Sequence, residues 1–224
     1  SNQVNARIQM QQGSSPKQII SWLVAHDVQN NPQSRQYGIV DYQNGSSQSA
    51  AFTGTSCYDY KNHILGPNYS IQGNILLGQQ ILDSMEYYFL NTSGCLPEKL
   101  MAAMNGAKVV GADTRCMVEG TSSLSAFLRM ALPTDSYNNL FLDINVAGTA
   151  PNVEPIDVLK TKYNLWKNSH ISYCDSVSNS KITTRKEIEI HPNPTNDLIT
   201  ISNIEEAKSI ELFSLNGQFL ETVN

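Results

Sequence analysis

Residues 68–80 read NYSIQGNILLGQQ, and the interpretation of the whole chain turns on them. Ile71, Ile75, Leu76 and Leu77 make an apolar run of the kind that forms a buried strand leading into a helix. Gln72, Gly73 and Asn74 interrupt it. A buried amide without a partner costs about 1–3 kcal/mol, so these side chains need partners. Gln72 and Asn74 stand two residues apart and share one face of a strand. They either cap neighbouring backbone or donate hydrogen bonds to something that binds. Gly73 between them lets other backbone approach closely.

The pattern outside this stretch alternates between helix and strand. Upstream, residues 14–32 carry a helix signal: Ser15 as N-cap, Pro16 in the first turn, and a stripe of Ile19, Ile20, Leu23, Val24 and Val28. Residues 35–54 read as a hairpin turning at Asn44-Gly45, followed by a loop with Cys57 and His63. Downstream, residues 81–91 place Leu82, Met85 and Phe89 on one helical face. Residues 97–110 do the same with Leu100, Met101, Met104 and Ala107. A polar loop, 111–123, separates these helices from two alternating strands. One strand has Leu124, Ala126, Leu128 and Met130 on one face, the other Leu140, Leu142, Ile144 and Val146. An amphipathic helix over 155–168, through Ile156, Leu159, Tyr163 and Trp166, closes the pattern. The order predicts a layered α+β domain over 1–167. Residues 168–186 are polar and serine-rich and read as a linker. Short strands and turn signals over 187–224 read as part of a small β-sandwich.

Composition excludes several functions. The net charge of −5 and pI near 5.3 argue against nucleic acid, which calls for a basic stripe. No apolar run is long enough to span a membrane. Cys57, Cys95, Cys116 and Cys174 form no zinc-like spacing, and the histidines show no ligand spacing, so no metal or cofactor is expected. No signal peptide is visible. The polar opening SNQVNARIQMQQG, without an initiator Met, reads as a mature, trimmed or fragmentary chain.

Other polar groups carry two readings each. Asp113 and Arg115 are either a local surface ion pair or a clamp for a carboxylate or amine. Thr121, Ser122 and Ser123 offer hydroxyls to the same pocket or simply make a turn. His63, near Asp59, is a structural histidine or a proton-transfer group. His26-Asp27 reads as a helix-end pair.

Two resemblances sharpen this picture. The segments RQYGIVD (35–41), AAFTGTSCYDYKNHILGPNYSIQGNIL (50–76) and GADTR…GTSS (111–123) resemble the domain-of-unknown-function-1028 family. That resemblance implies the N-terminal nucleophile hydrolase superfamily and its four-layer αββα fold. It also implies cleavage of amide bonds in peptides or cell-wall fragments by the side chain of the chain's own first residue, whose amine serves as base. In that setting Gln72 and Asn74 would line an oxyanion or amide pocket, and Asp113 and Arg115 would support it. The superfamily's sheets often pair across subunits, which allows a homodimer. The strand that begins with the nucleophile in such proteins has no counterpart here, and Ser1 lies ahead of a helix instead. The expectation is a domain lacking its N-terminal strands and inactive as given. The alternative is a surface protein that keeps the fold for binding.

The second resemblance rests on HPNPTND (191–197), LITIS and IELFSLNGQFL (210–220). These are similar to the first half of a type A C-terminal sorting domain of the type IX secretion system of Bacteroidetes. It implies engagement of that machinery, export to the cell surface or medium, and an oxidising setting in which Cys95 and Cys116 are the preferred disulfide.

Overall fold

The computed structural model describes residues 1–136 and 138–174, together with the backbone of four short strands between 189 and 223. It divides into two compact units, Ser1–Ser178 and Asn179–Asn224.

The first unit is α+β with small antiparallel sheets. Helices α1 (Asn2–Gln11) and α2 (Pro16–Ala25) precede the hairpin of β1 (Gln36–Gln43) and β2 (Ser46–Thr53). The hairpin of β3 (Asn62–Gly66) and β4 (Tyr69–Gly73) follows, then α3 (Gln79–Asn91) and α4 (Leu96–Gly106). A last pair, β5 (Ala126–Met130) and β6 (Leu142–Val146), leads to α5 (Pro155–Ser169). Local chemistry accounts for the boundaries. Ser15 and Gln18 form a reciprocal capping box at the start of α2. Asn44 and Gly45 both take positive φ, as a tight two-residue hairpin turn requires.

Two cores hold the unit together. In the first, Ile19, Ile20 and Leu23 of α2 pack on Ile39, with Tyr37, Ala50 and Phe52 alongside. The opposite face of that hairpin meets β3 and β4, and α3 covers the far side of β3–β4. In the second, the inward residues of β5 and β6 are sealed by Met101 of α4 and by Ile156, Leu159 and Tyr163 of α5.

Several expectations need correction. Residues 2–11 are helical although their apolar periodicity is weak. Ser1 accepts from Val4 N, and Asn2 Nδ2 donates to the buried Asp27 carboxylate at 2.6 Å, fixing α1 by polar contacts. Asp27 does not pair with His26. It takes hydrogen bonds from Arg35 Nε (2.8 Å), Gln29 N and Asn31 N, while His26 stacks on Trp22. Val28 lies beyond the end of α2 and is exposed. His63 sits on β3 rather than in a loop, and Leu124 lies outside β5 and faces solvent.

The disulfide is Cys95–Cys174, with Cα atoms 5.1 Å apart, not Cys95–Cys116. Cys116 is buried in the 3₁₀ turn Thr114–Glu119 and remains a free thiol, as does Cys57. Burial pushes the Cys116 thiol up in pKa, with the Asp113 carboxylate adding to the effect. The bond ties the start of α4 to the segment after α5. Residues 168–174, where the sequence suggested the start of a linker, therefore belong to this unit. Glu98 reinforces the same junction, accepting from Cys95 N at 3.1 Å and pairing with Lys167 of α5.

In the second unit, β7 (Glu189–His191) pairs antiparallel with β8 (Thr200–Ser202), and β9 (Ile210–Phe213) with β10 (Phe219–Val223). The expected linker over 175–186 and the turns at 192–194 and 216–217 lie outside the described residues. Among the described residues no helix is long and apolar enough to cross a membrane.

Candidate functional site

The site grows from the end of β4. Beyond Gly73 the chain stays extended but is gripped on both sides. On one side Ile75 N donates to Tyr58 O (3.0 Å), and Leu76 and Tyr60 exchange backbone hydrogen bonds. On the other, Thr114 N donates to Ile75 O (2.9 Å) and Leu77 N to Ala112 O (3.0 Å), with Leu76 bridged to Asp113. Between these grips Ile75 has φ +59°. A β-branched residue rarely adopts that region, and holding one there costs about 1–3 kcal/mol. The polar loop 111–123 supplies the second grip and is itself anchored, with Gly111 N bound to Thr121 O and Asp113 N to Ser122 O.

This ribbon pairs Asp113 with Leu76, two residues beyond Asn74. Asp113 holds Arg115 in a fork: Oδ1 accepts from Nε at 2.9 Å and Oδ2 from Nη2 at 2.5 Å. Arg115 beside it lowers the Asp113 carboxyl pKa, and the Arg115 guanidinium is held correspondingly more firmly protonated. The guanidinium stays two-thirds exposed, with side-chain exposure of 68%.

The Gln72 side chain is exposed, its Oε1 accepts from Ser70 Oγ at 2.7 Å, and it lies over Gly38, where a Cβ would come within 2.0 Å of it. Gln72 and Asn74 both face β1, over Gly38 and Gln36 respectively, but take different hydrogen-bond partners.

Asn74 is instead held by a residue that sequence inspection missed. Its Nδ2 donates to Gln36 Oε1 at 3.0 Å. Gln36 Nε2 faces Gly73 O (2.9 Å), Thr53 Oγ1 (3.0 Å) and Asn62 O (3.2 Å). Thr53 Oγ1 also lies within hydrogen-bond distance of His63 Nδ1, at 2.9 Å. Asp59 pairs with Lys61 rather than with His63. A line of polar side chains thus runs His63–Thr53–Gln36–Asn74 between the two hairpins.

The serine-rich turn does not add hydroxyls to this pocket. Ser122 is buried and directs both N and Oγ to the Glu154 carboxylate, which caps α5. Thr121 is buried too, with its Oγ1 unpartnered. Ser123 Oγ donates to Ser125 O. The Ser1 hydroxyl caps α1. The assembled groups can orient an amide or a carboxylate, since they offer amide donors and a cation in a fixed geometry.

A family model described as a family of unknown function (DUF1028) matches residues 3–155. No curated protein matches the chain. The fold is similar to the crystal structure of a Silicibacter pomeroyi protein carrying the same family designation. That likeness has a TM-score of 0.58 at 20% identity, covering 76% of this chain and 69% of the other. It extends to the fold alone. Because the family match spans more than half of the sequence, this chain belongs to the DUF1028 family.

Proposed function

We propose that the first unit is a member of the N-terminal nucleophile hydrolase superfamily, built on its four-layer αββα plan, and that its pocket recognises amide bonds in peptides or cell-wall fragments. The observation that carries this reading is the strained Ile75. The fold holds a costly backbone conformation between Asn74 and Leu76, the residue bridged to Asp113, and strain of this kind clusters at functional sites. Asn74 would donate to the developing oxyanion or the substrate carbonyl, and Arg115 would take a neighbouring carboxylate. The PNPT-bearing second unit adds a further part of the proposal: export by the type IX secretion machinery to the cell surface or medium.

One observation favours a second reading, a surface protein that binds without cleaving. The groups that meet at Asn74 are amides, not nucleophiles, and the Ser1 hydroxyl is engaged at the start of α1.

The assay that separates the two incubates the purified chain with N-acyl amino acids, dipeptides and cell-wall stem peptides, following amine release and binding in parallel. Hydrolysis expects amine release that falls about 100-fold or more in Asn74→Ala, the usual loss for a removed oxyanion donor. The binding reading expects no release, with affinity that drops in both Asn74→Ala and Arg115→Ala. Turnover abolished by Ser1→Ala would establish Ser1 as the attacking group and remove the binding-only reading. Neither turnover nor binding at millimolar probe would sink both.

A further inference from the structure

Among the described residues, one group of cysteine, histidine and carboxylate side chains lies close enough together to share a metal ion. It consists of Cys95, Glu98 and Cys174, whose ligand atoms fall within 4.8 Å of one another. Cys95 stands at the N-cap of α4 and Glu98 one turn into that helix, while Cys174 arrives on the segment after α5. Both cysteines are buried, with exposures of 0% and 4%. Glu98 is partly exposed and opens the group to solvent from one side. Short ligand spacing does not reveal the pair, because 79 residues separate the two cysteines.

The surroundings fix Glu98 in place. Its Oε2 accepts from Cys95 N at 3.1 Å, and its Oε1 pairs with Lys167 of α5. Each carboxylate oxygen carries two lone pairs, so an ion can share the group with both donors. On the face of α5 that carries Lys167, Tyr163 keeps a buried hydroxyl with no hydrogen-bond partner among the described residues. Two cysteine sulfurs and one carboxylate are a donor set that suits zinc, with the fourth tetrahedral position left to water. A tetrahedral zinc holds its two sulfurs about 3.8 Å apart. The Cα atoms of Cys95 and Cys174, 5.1 Å apart, allow that separation once the bond between the sulfurs is open. The first N–H groups of α4 favour the Cys95 thiolate that ligation requires.

We propose that, with the disulfide reduced, Cys95, Cys174 and Glu98 bind a zinc ion, which ties α4 to the segment after α5 as the disulfide does. One junction then has two interchangeable staples, ionic under reducing conditions and covalent under oxidising ones. A small disulfide such as oxidised glutathione converts the first into the second. One cysteine thiolate attacks a sulfur of the glutathione disulfide and expels a glutathione thiolate. The other cysteine thiolate attacks the resulting mixed disulfide, closes Cys95–Cys174 and expels a second glutathione thiolate. Two electrons pass from the cysteines to glutathione, and each expelled thiolate takes a proton from solvent. The zinc ion, left with Glu98 alone, departs. Calcium and magnesium, which call for oxygen ligands, do not fit this set. Nothing in the site depends on the Asn74 pocket.

The test uses the full chain, reduced with a phosphine and freed of metal. Zinc titrated against a chromophoric chelator is expected to bind as one ion per reduced chain, and at least a hundredfold more weakly after oxidation. Cobalt in place of zinc is expected to show thiolate-to-metal charge transfer and the visible bands of a tetrahedral site. Glu98→Gln keeps an acceptor for Cys95 N and keeps both cysteines, and it is expected to weaken zinc at least tenfold. Cys174→Ser is expected to abolish uptake. Cys57 and Cys116 are the competing thiols, so Cys57→Ala and Cys116→Ala are each expected to bind zinc as the parent does. Oxidised glutathione added to the zinc form is expected to release one ion for each Cys95–Cys174 bond formed. No uptake by the reduced chain, or uptake that persists in Cys174→Ser, would overturn the site. Zinc affinity unchanged in Glu98→Gln would overturn the three-ligand assignment, and oxidation that leaves the zinc bound would overturn the exchange of staples.

Discussion

The hairpins β5–β6 and β1–β2 are built from the same element but spend their residues differently. Along β5 and β6 every second side chain is buried, and the inward set meets α4 and α5 as hydrocarbon on hydrocarbon. In β1 only Ile39 is buried, and the face toward β3–β4 is occupied by Gln36, Thr53 and their partners Asn62, His63 and Asn74. Apolar burial is non-directional and gives stability. A hydrogen-bonded interior fixes side-chain positions and is costly when incomplete. One hairpin thus serves as the foundation of the domain, and the other holds its candidate site.

Substitutions should separate these roles. The largest loss is expected from Leu142→Ala in β6, whose side chain is wholly buried: about 2–5 kcal/mol by denaturant unfolding, with ligand binding at Asn74 unchanged under folded conditions. A loss under 1 kcal/mol would show that the β5–β6 core is not the foundation. Reducing Cys95–Cys174, which closes a separation of 79 residues, is expected to cost about 2–4 kcal/mol on the same measure, again without touching the site.

Gln36→Leu attacks the other region. It leaves Asn74 and Gly73 O without their partner and is expected to cost about 1–3 kcal/mol. Unlike the first two changes, it should also abolish binding of amide probes. A variant that loses stability but binds normally would demote the network to a structural role.

The smallest effect at neutral pH, and the most informative on acidification, concerns Asp27. The Arg35 side chain, then Asn31 N, hold its carboxyl far below the usual range. The unfolded state therefore binds the proton first. The stabilisation is complete above the ordinary carboxylate pKa of about 4 and is lost as pH falls from there toward the folded value. Thermal unfolding of the parent chain should decline more steeply between pH 5 and 2 than that of Asp27→Asn. Parallel curves would refute the assignment.

The same contrast governs what could be read from the sequence. Alternation over 126–130 and 142–146 and the stripe of Ile19, Ile20 and Leu23 were legible because each is a local repeat that burial enforces. Asn44-Gly45 was legible because few residue pairs suit that turn. Helix α1 was not, since polar anchors at Ser1 and Asn2, rather than a stripe, hold it. The disulfide partner of Cys95 was not either, because spacing does not encode which thiols meet in space. Of the site, Asn74, Asp113 and Arg115 stood out as polar residues beside apolar runs. Gln36 and Thr53 did not, because a contact spanning 38 residues, as between Gln36 and Asn74, leaves no periodic trace.

The Cys95–Cys174 bond also has a mechanical consequence. Cys174 lies just before the second unit begins at Asn179. A pull on that unit, or a protease cutting after Cys174, meets the covalent staple before it reaches the last turn of α5. The load passes sideways into the start of α4, which Glu98 also ties to Lys167. The first unit is strain-relieved at its exit, as a cable is clamped where it leaves its housing, so the tail can be tugged or trimmed while the site beside β1 keeps its shape.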